Sequence, residues 1–205
     1  MKLEIKPFTP ELAEDYYDFH ENRAFSDHPE WSHCYCLAFC MDKTDDKELS
    51  QESKANGGDR DALHRALKTR AEKFIANRAL KGYVAYADGI LVGWCNANDK
   101  AAYTRYDFDE DISEFIGNTG DGRIKAILCF CIAPEYRGKG VATALLERVC
   151  QEAKTDGYSA VEGYPHLQDK YNPFDNSGPT RLYEKAGFSR IAQHENVVVM
   201  RKDVN

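Results

Sequence analysis

The sequence lacks any apolar run near the roughly 18 residues that a membrane-spanning helix requires. Its first residues, MKLEIKPF, contain neither the apolar core nor the cleavage pattern of a signal peptide. Internal repeats and low-complexity tracts are also missing, which argues against a repeat array. We therefore expect a soluble, cytoplasmic protein without a membrane partner.

Clustered positive charge is also missing from the 205-residue chain. The formal net charge is −7, and the basic residues are scattered along the sequence. Because binding to a polyanion depends on clustered lysine and arginine, a nucleic-acid partner is not expected. The length suits one domain with a substantial core. We expect residues 1–205 to form that domain, as a monomer or homodimer.

The seven cysteines are an odd number for a disulfide framework. Cys95, Cys129 and Cys131 lie in apolar stretches typical of strands, which favours reduced, buried thiols. A further group of candidate metal ligands lies close together in the sequence: His33, Cys34, Cys36 and Cys40. Their spacing is poor for structural zinc, which usually needs a second matching pair of ligands. We predict no metal site and no covalent role for the cysteines.

Residues 127–150 carry the strongest structural signal. Nearly every residue from 126 to 133 is apolar, which predicts a central strand covered on both faces. Pro134 ends the strand, and from Val141 to Gly157 the apolar residues follow a period of about 3.6 residues. The sequence therefore predicts a strand that leads directly into an amphipathic helix.

The junction of this strand and helix is basic and rich in glycine. It consists of Arg137, Gly138, Lys139, Gly140, Val141 and Ala142. The first turn of a helix leaves backbone N–H groups without partners, and these carry the positive end of the helix dipole. The glycines let a ligand approach the backbone, while Arg137 and Lys139 add full positive charge. The junction therefore favours binding of a pyrophosphate group.

This junction resembles motif A of the GNAT N-acetyltransferase superfamily. The family pattern is Arg or Gln, two residues, Gly, one residue, then Gly or Ala, and here the matching residues are Arg137, Gly140 and Ala142. The resemblance implies that the amides of this turn hold the pyrophosphate of acetyl-coenzyme A (acetyl-CoA), the co-substrate. It also implies that the strand backbone at Ile132 and Ala133 pairs with the pantetheine arm.

Residues 176–188 are similar to the closing helix of the same family. Asn176, Tyr183, Gly187 and Phe188 match its pattern, whereas Pro179 replaces the usual alanine. Proline is tolerated in a first helical turn, so we expect a shifted helix start. The resemblance implies that Asn176 contacts the cofactor and that Tyr183 protonates the departing thiolate. The alternative for Tyr183 is an ordinary core tyrosine.

The remaining segments predict an α/β fold that agrees with this family. A strand near residues 3–8 precedes a helix near 10–24, and a second long helix spans about residues 59–80. Residues 82–95 and 189–202 read as hairpins, and another strand lies near 158–164. Residues 42–60 are charged and polar, and Asn56, Gly57 and Gly58 within them are expected to form a flexible linker. We expect a single-domain GNAT fold, with a mixed, mostly antiparallel sheet of about seven strands flanked by four or more helices.

Acetyl transfer also needs a base that removes a proton from the ammonium group of the acceptor. Glu162 is the first candidate, because it lies on the strand next to the core strand; a structural carboxylate is the alternative. The other candidates are His166, His33 and Glu21. The expected reaction is direct attack, in a ternary complex, by a primary amine of a small molecule or peptide. The alternative is a non-catalytic acyl-CoA-binding sensor or interaction module.

Acceptor specificity is expected in the irregular connections. Trp31, Tyr35 and Phe39, within residues 25–40, are candidate walls of the substrate pocket, with a hydrophobic flap over the core as the alternative. Residues 107–114 contain five carboxylates, which either form a solvated loop or edge helix or attract a cationic amine. No motif in these connections identifies the acceptor.

Overall fold

A seven-stranded sheet runs through the part of the chain that the computed structural model describes, residues 2–107, 109–167 and 175–204. The strands are β1 (Leu3–Pro7), β2 (Gly82–Ala87), β3 (Ile90–Asp99), β4 (Ile124–Ile132), β5 (Ala160–Gly163), β6 (Ser189–His194) and β7 (Val197–Asp203). Their order is β1-β2-β3-β4-β5-β7-β6. Only β4 and β5 pair in parallel; the other described pairs are antiparallel. The predicted mixed, mostly antiparallel sheet is confirmed.

Six α-helices flank the sheet in the described ranges, in agreement with the expected four or more. They are α1 (Ala13–Asp18), α2 (Lys43–Ala55), α3 (Arg60–Ala76), α4 (Glu110–Gly117), α5 (Val141–Thr155) and α6 (Thr180–Lys185). The helix predicted near residues 10–24 is continuous but irregular, since a 3-10 turn (Pro10–Leu12) precedes α1 and a π turn (Phe19–Arg23) follows it. None of the described helices is long and apolar enough to cross a membrane.

Helix α2 fills most of the polar segment at residues 42–60, where the sequence predicted only a short linker at residues 56–58. The Asp42 side chain accepts hydrogen bonds from the Thr44 and Asp45 amides, and the Asp45 side chain accepts one from the Asp42 amide. This reciprocal capping stabilises the start of the helix. Arg70 of α3 then holds α2 through ion pairs of 3.0 Å with Asp45 and Glu48. Asp42 and Asp45, an acidic pair three residues apart, were a readable signal of this helix start.

Two apolar layers cover the two faces of the sheet. On one face lies α5, whose Leu145, Leu146 and Val149 are fully buried. On the other face lie α1 and α3. There Tyr16 of α1 and Trp94 of β3 are fully buried, and their ring centroids are 4.9 Å apart. Both faces of β4 are therefore covered, as its continuous apolar run predicts.

Two predicted boundaries agree with the structure. Asp88 and Gly89, between β2 and β3, both have positive φ, 50° and 86°, as a type I′ hairpin turn requires. Helix α6 begins at Thr180 with Pro179 as its N-cap residue, in agreement with the expected shift of the helix start. Asn176 consequently lies before the helix, in a turn.

Candidate active site

Strands β4 and β5 separate part-way along their length. Their ladder ends at the pair Ile127 and Gly163, whereas β4 continues beside β3 as far as Ile132. The β3 register pairs Asn96 with Cys129 and Ala97 with Ile127, which leaves a bulge at residue 128 where the strands separate. Beyond it, the edge of β4 that faces β5 lies outside the ladder. An extended ligand can pair with such an open strand edge.

Asn176 occupies part of this open edge. Its backbone oxygen accepts a hydrogen bond from the Phe130 amide at 2.6 Å. Its side-chain Nδ2 donates to the Leu128 carbonyl at 2.9 Å. Asn176 therefore takes the place that a continued β5 would have had, and it brings the start of α6 beside the opening. A direct contact between Asn176 and the cofactor stays a prediction.

The predicted pairing residues Ile132 and Ala133 face opposite edges of the strand. The Ala133 amide donates to the Val92 carbonyl on the β3 side at 3.0 Å. Because backbone amides alternate between the two edges of a strand, the Ile132 amide faces the opening. Of the two residues, Ile132 is the better placed to pair with a pantetheine arm, and this role stays a prediction for both.

The turn between β4 and α5 presents amides that have no acceptor among the described residues. Gly138 and Gly140 have positive φ of 72° and 84°, which glycine adopts without strain. The first backbone bond of α5 joins the Ala144 amide to the Gly140 oxygen at 3.0 Å, so the amides of residues 141–143 lack an acceptor within the described chain. A Cβ built at Gly138 or Gly140 meets nothing within 4 Å. The turn therefore has room and positive potential for a phosphate group.

The Arg137 side chain points away from this turn. Its Nη1 lies 2.5 Å from Asp27 Oδ2, and its Nε donates to the Ile132 carbonyl at 3.1 Å. The guanidinium thus joins the end of β4 to the segment that follows the π turn. This arrangement favours a positioning role for Arg137. Lys139, which is exposed at the turn, is then the remaining cation predicted to attract the phosphate.

A cleft of about 630 Å³ begins at this turn and follows the open edge of β4. It is enclosed by residues 30–39, by α3, by residues 129–132 and by residues 175–182. Four predicted cofactor-site residues line it: Ile132, Arg137, Ala142 and Asn176. Two of the predicted pocket walls, Trp31 and Phe39, line it as well. The third predicted wall, Tyr35, is fully buried in the core, and its hydroxyl donates to Glu21 Oε1 at 2.8 Å.

Tyr183 lies in the fork between β4 and β5 but does not line the cleft. It is fully buried, and its hydroxyl donates to the Ser177 carbonyl at 2.8 Å. Burial raises the pKa of this phenol well above its usual value, so it keeps its proton at neutral pH. The bond to Ser177 holds the turn that carries Asn176. Proton donation to a thiolate stays a prediction, and it requires the hydroxyl to leave Ser177.

Glu162 is fully buried and lies away from the cleft lining. Its Oε2 accepts hydrogen bonds from Lys100 Nζ at 2.9 Å and from the Tyr164 hydroxyl at 3.0 Å. Its Oε1 lies 3.5 Å from Arg201 Nη1. Two cations, Lys100 after β3 and Arg201 on β7, hold this carboxylate of β5, which agrees with the structural alternative for Glu162. The placement does not favour Glu162 as the base, and that role stays a prediction.

Two of the other candidate bases are also held by charged partners. His166 lies 3.2 Å from Asp107 and 3.6 Å from Asp175, and hydrogen bonds to these carboxylates raise its pKa to about 9. It is therefore protonated at neutral pH and unsuited to accept a proton. Glu21 accepts hydrogen bonds of 2.8 Å from Lys68 and Tyr35. Burial acts to raise the Glu21 pKa, but these bonds leave it below its usual value.

The remaining candidate, His33, forms a stacked pair with His64. The two ring centroids are 3.9 Å apart, and the rings are tilted by 6°. His64 lines the cleft, and desolvation, together with the charge of Arg60, lowers its pKa, so the imidazole is neutral at neutral pH. His64 was not among the site residues predicted from the sequence. A readable signal exists, because positions 60, 63, 64 and 67 fall on one face of α3 and all four line the cleft.

Four cysteines meet on one wall of the cleft. They form two Cys-x-Cys pairs distant in sequence: Cys34 with Cys36, and Cys129 with Cys131 on β4. The sulfurs of Cys36 and Cys129 are 2.9 Å apart. Burial raises the pKa of Cys131 well above its usual value, so its thiol is uncharged at neutral pH. In the described ranges no group of side chains is arranged to hold a metal ion.

The five carboxylates of the acidic segment, at positions 107, 109, 110, 111 and 114, are not among the described residues that line the cleft. Asp109 caps α4 by accepting hydrogen bonds from the Asp111 and Ile112 amides, and Glu110 lies 3.3 Å from Lys43 at the surface. These local contacts favour the edge-helix interpretation. Attraction of a cationic acceptor by this segment stays a prediction.

Comparison with known proteins decides the family. A family model described as an acetyltransferase (GNAT) domain matches residues 79–190, which is more than half of the chain. The chain belongs to the GNAT acetyltransferase family. The predicted resemblance is thereby confirmed, and the protein is an acyltransferase. No curated protein sequence matches this GNAT chain.

Solved structures agree with the GNAT fold. The PaiA N-acetyltransferase of Thermoplasma acidophilum, in complex with coenzyme A, is 17% identical, with 99% of each chain covered and a TM-score of 0.52. A GNAT acetyltransferase of Streptococcus pneumoniae is 14% identical, with 100% of each chain covered and a TM-score of 0.52. The ribosomal-protein-S18-alanine N-acetyltransferase of Escherichia coli is 11% identical, with 99% of this chain and 94% of that chain covered and a TM-score of 0.50. At these identities the likeness concerns the fold alone.

Proposed function

We propose that this protein moves an acetyl group from acetyl-CoA to a primary amine of a small molecule or peptide by direct attack in a ternary complex. The observation that carries the proposal is the continuity of one cleft from Ala142, at the start of α5, along β4 to His64 on α3. Such a cleft would hold both substrates on one path, so that no covalent carrier on the protein is needed.

The turn and the open edge of β4 supply the binding groups for acetyl-CoA. The amides of residues 138–142 would hold the pyrophosphate, with Lys139 adding charge. The Ile132 amide would pair with the pantetheine arm, and Arg137 would keep the end of β4 in place through Asp27. Asn176 already bonds to the β4 edge at Leu128 and Phe130, which leaves the part of the edge nearer the turn for the ligand.

The chemistry requires one proton to leave the amine and one to reach the sulfur. The amine nitrogen attacks the thioester carbonyl, a C–N bond forms, the C–S bond breaks, and the sulfur leaves as a thiolate. We favour His64 as the base, because its neutral imidazole lines the cleft, with His33 stacked behind it. Glu162 remains the alternative base. Tyr183 is the proposed proton donor to the thiolate.

An amine panel tests this function. Acetyl-CoA and the protein are incubated with each amine, and both free thiol and acetylated product are measured. We expect thiol release that depends on the amine and on enzyme concentration. His64→Gln should lower kcat/KM by about 100-fold while calorimetric binding of CoA persists. His194→Gln, on the edge strand β6, is the matched control. Tight CoA binding without turnover on any amine would favour the sensor module instead.

A further inference from the structure

We infer that the preferred acceptor carries an apolar group next to its amine, and that this group packs on Trp31, Leu63 and Leu67. We call these three residues the apolar wall. The inference rests on the proposed function, and it names the class of acceptor that this cleft selects. The evidence is the position of the wall, its exposure and the pairing of the nearby charges.

The apolar wall lines the same cleft as the β4 edge. Leu63 and Leu67 are one helical turn apart on the same face of α3 as His64. Trp31 is the last residue of a short 3-10 helix, Pro29–Trp31, and lines the same cleft. Leu67 lies three positions after His64 and is its neighbour on the helix surface, so an amine whose nitrogen faces His64 would have its substituent within reach of this wall. The apolar wall and the proposed base consequently act on one bound molecule.

The apolar wall is more exposed than side chains of this type usually are. Trp31 is 40% exposed and Leu63 is 38% exposed, although both lie in a concave cleft. Hydration of apolar surface costs about 25 cal/mol for each Å². Clustered apolar exposure inside a cleft, with few polar groups, is typical of a ligand site rather than of a solvated surface.

The charged side chains around the cleft already have partners. These pairs are Glu30 with His28, Arg60 with the Glu30 carbonyl, Arg137 with Asp27, and Asp175 with His166. A second charge on the acceptor would have to compete with these contacts, whereas an apolar substituent would not. The pairing therefore favours an acceptor whose remaining part is uncharged and apolar.

A longer acyl chain on CoA is the other possible source of an apolar group. The exposure of Trp31 and Leu63 shows that the wall lies at the open side of the cleft. The acceptor enters from solvent, whereas an acyl chain starts at the thioester beside β4. The open position of the wall therefore favours the acceptor as the source.

The test compares two substrate series on the intact protein. In the first, linear primary amines from ethylamine to hexylamine receive acetyl from acetyl-CoA. In the second, ethylamine receives the acyl group from CoA thioesters that range from acetyl to hexanoyl. We expect kcat/KM to rise about fourfold for each added methylene in the amine series, up to the capacity of the wall. A flat amine series, or a rise confined to the acyl series, would overturn the inference.

Variants and fluorescence separate this inference from the proposed function. Leu63→Gln should flatten the amine series, whereas Ile191→Gln, which changes a 47% exposed residue on β6, should leave it steep.

Of the two tryptophans, Trp94 is fully buried, so hexylamine should change the emission of Trp31, and Trp31→Phe should abolish that change. An unchanged emission on adding hexylamine would count against the wall. If no amine is acetylated at all, the proposed function fails, whereas turnover without chain-length preference defeats this inference alone.

Discussion

The phenol ring of Tyr183 occupies the space that a side chain at Gly163 would need. A Cβ built at Gly163 would lie 2.2 Å from Tyr183 Cε1 and 2.5 Å from its hydroxyl oxygen. Gly163 is the last residue of β5 in the ladder with β4, so the ring enters the fork where the strands separate. The width of the fork therefore depends on glycine at this position.

Gly163→Ala should force the Tyr183 ring out of this position. The φ of Gly163 is not positive, so the expected cost is steric, about 1 to 3 kcal/mol in the free energy of unfolding. Thermal denaturation measures it, with Gly117→Ala as the control, since a Cβ there has its nearest neighbour at an ordinary 3.4 Å. Equal stability of the two variants would show that the fork accommodates a side chain.

Gly140→Glu should abolish CoA binding while the fold survives. The change places bulk and negative charge beside the unpaired amides of the α5 turn, where we place the pyrophosphate. Gly89→Glu is a matched control, because Gly89 also has positive φ, 86°, and a Cβ there also meets nothing within 4 Å. Backbone strain is then similar in both variants. If calorimetry finds CoA affinity unchanged in folded Gly140→Glu, the site lies elsewhere.

His166 should make stability fall as the pH rises from about 6.5 to about 9. Its pKa in the folded protein is about 9, above the usual value of 6.5, because of hydrogen bonds to Asp107 and Asp175. Folding favours the protonated form of His166. The contribution of His166 to the free energy of unfolding is therefore complete below about pH 6.5 and is lost as the pH passes 9. The contribution amounts to at most about 3 kcal/mol.

Urea denaturation across this pH range tests the contribution of His166. His166→Gln should be less stable than the native protein at pH 6 and nearly equal to it at pH 10. His194→Gln serves as the control for loss of a histidine on the sheet edge. A constant difference between His166→Gln and the native protein across the range would mean that the imidazole acts by packing and not by charge.

Local patterns predicted the strand, turn and helix at residues 124–155 because each element there is defined by neighbours in sequence. The same reasoning placed Glu162 on the correct strand, but its partners Lys100 and Arg201 come from other elements, so its burial in an ion-pair cluster was not readable. The stacking of His64 on His33 also arises only when α3 packs on the preceding segment. Tertiary contact thus decided most of the side-chain roles.

Oxidation should link Cys36 to Cys129. Their sulfurs are 2.9 Å apart, so two-electron oxidation by diamide, which is itself reduced, can join them after little movement. The hydrogen bond with Cys36 acts to lower the pKa of Cys129, but burial and the neighbouring cysteines together raise it to about 11, so the reaction should accelerate as the pH rises. Peptide mass mapping should find the cross-link in the native protein and in Cys150→Ser, but not in Cys36→Ser. Other pairings in the native protein would count against this geometry.

Tyr183→Phe distinguishes a chemical role from a positioning role. The ring stays and its packing is kept, so only the hydroxyl and its bond to the Ser177 carbonyl are lost. If the hydroxyl donates a proton to the thiolate, kcat should fall by about 10- to 100-fold, the low part of the usual range for general acids, because a thiolate is already a fair leaving group. This is the outcome we expect.

Loss of the Ser177 bond also has a cost, about 1 to 2 kcal/mol for a buried carbonyl left without a donor. Leaving-group dependence separates the two effects, because a thioester whose thiol has a lower pKa needs less protonation. With such a substrate the defect of Tyr183→Phe should shrink if the hydroxyl is an acid. It should stay constant if the hydroxyl only positions the turn that carries Asn176. If Tyr183→Phe keeps full kcat in a condition where chemistry limits the rate, then water protonates the thiolate and Tyr183 is only a core residue.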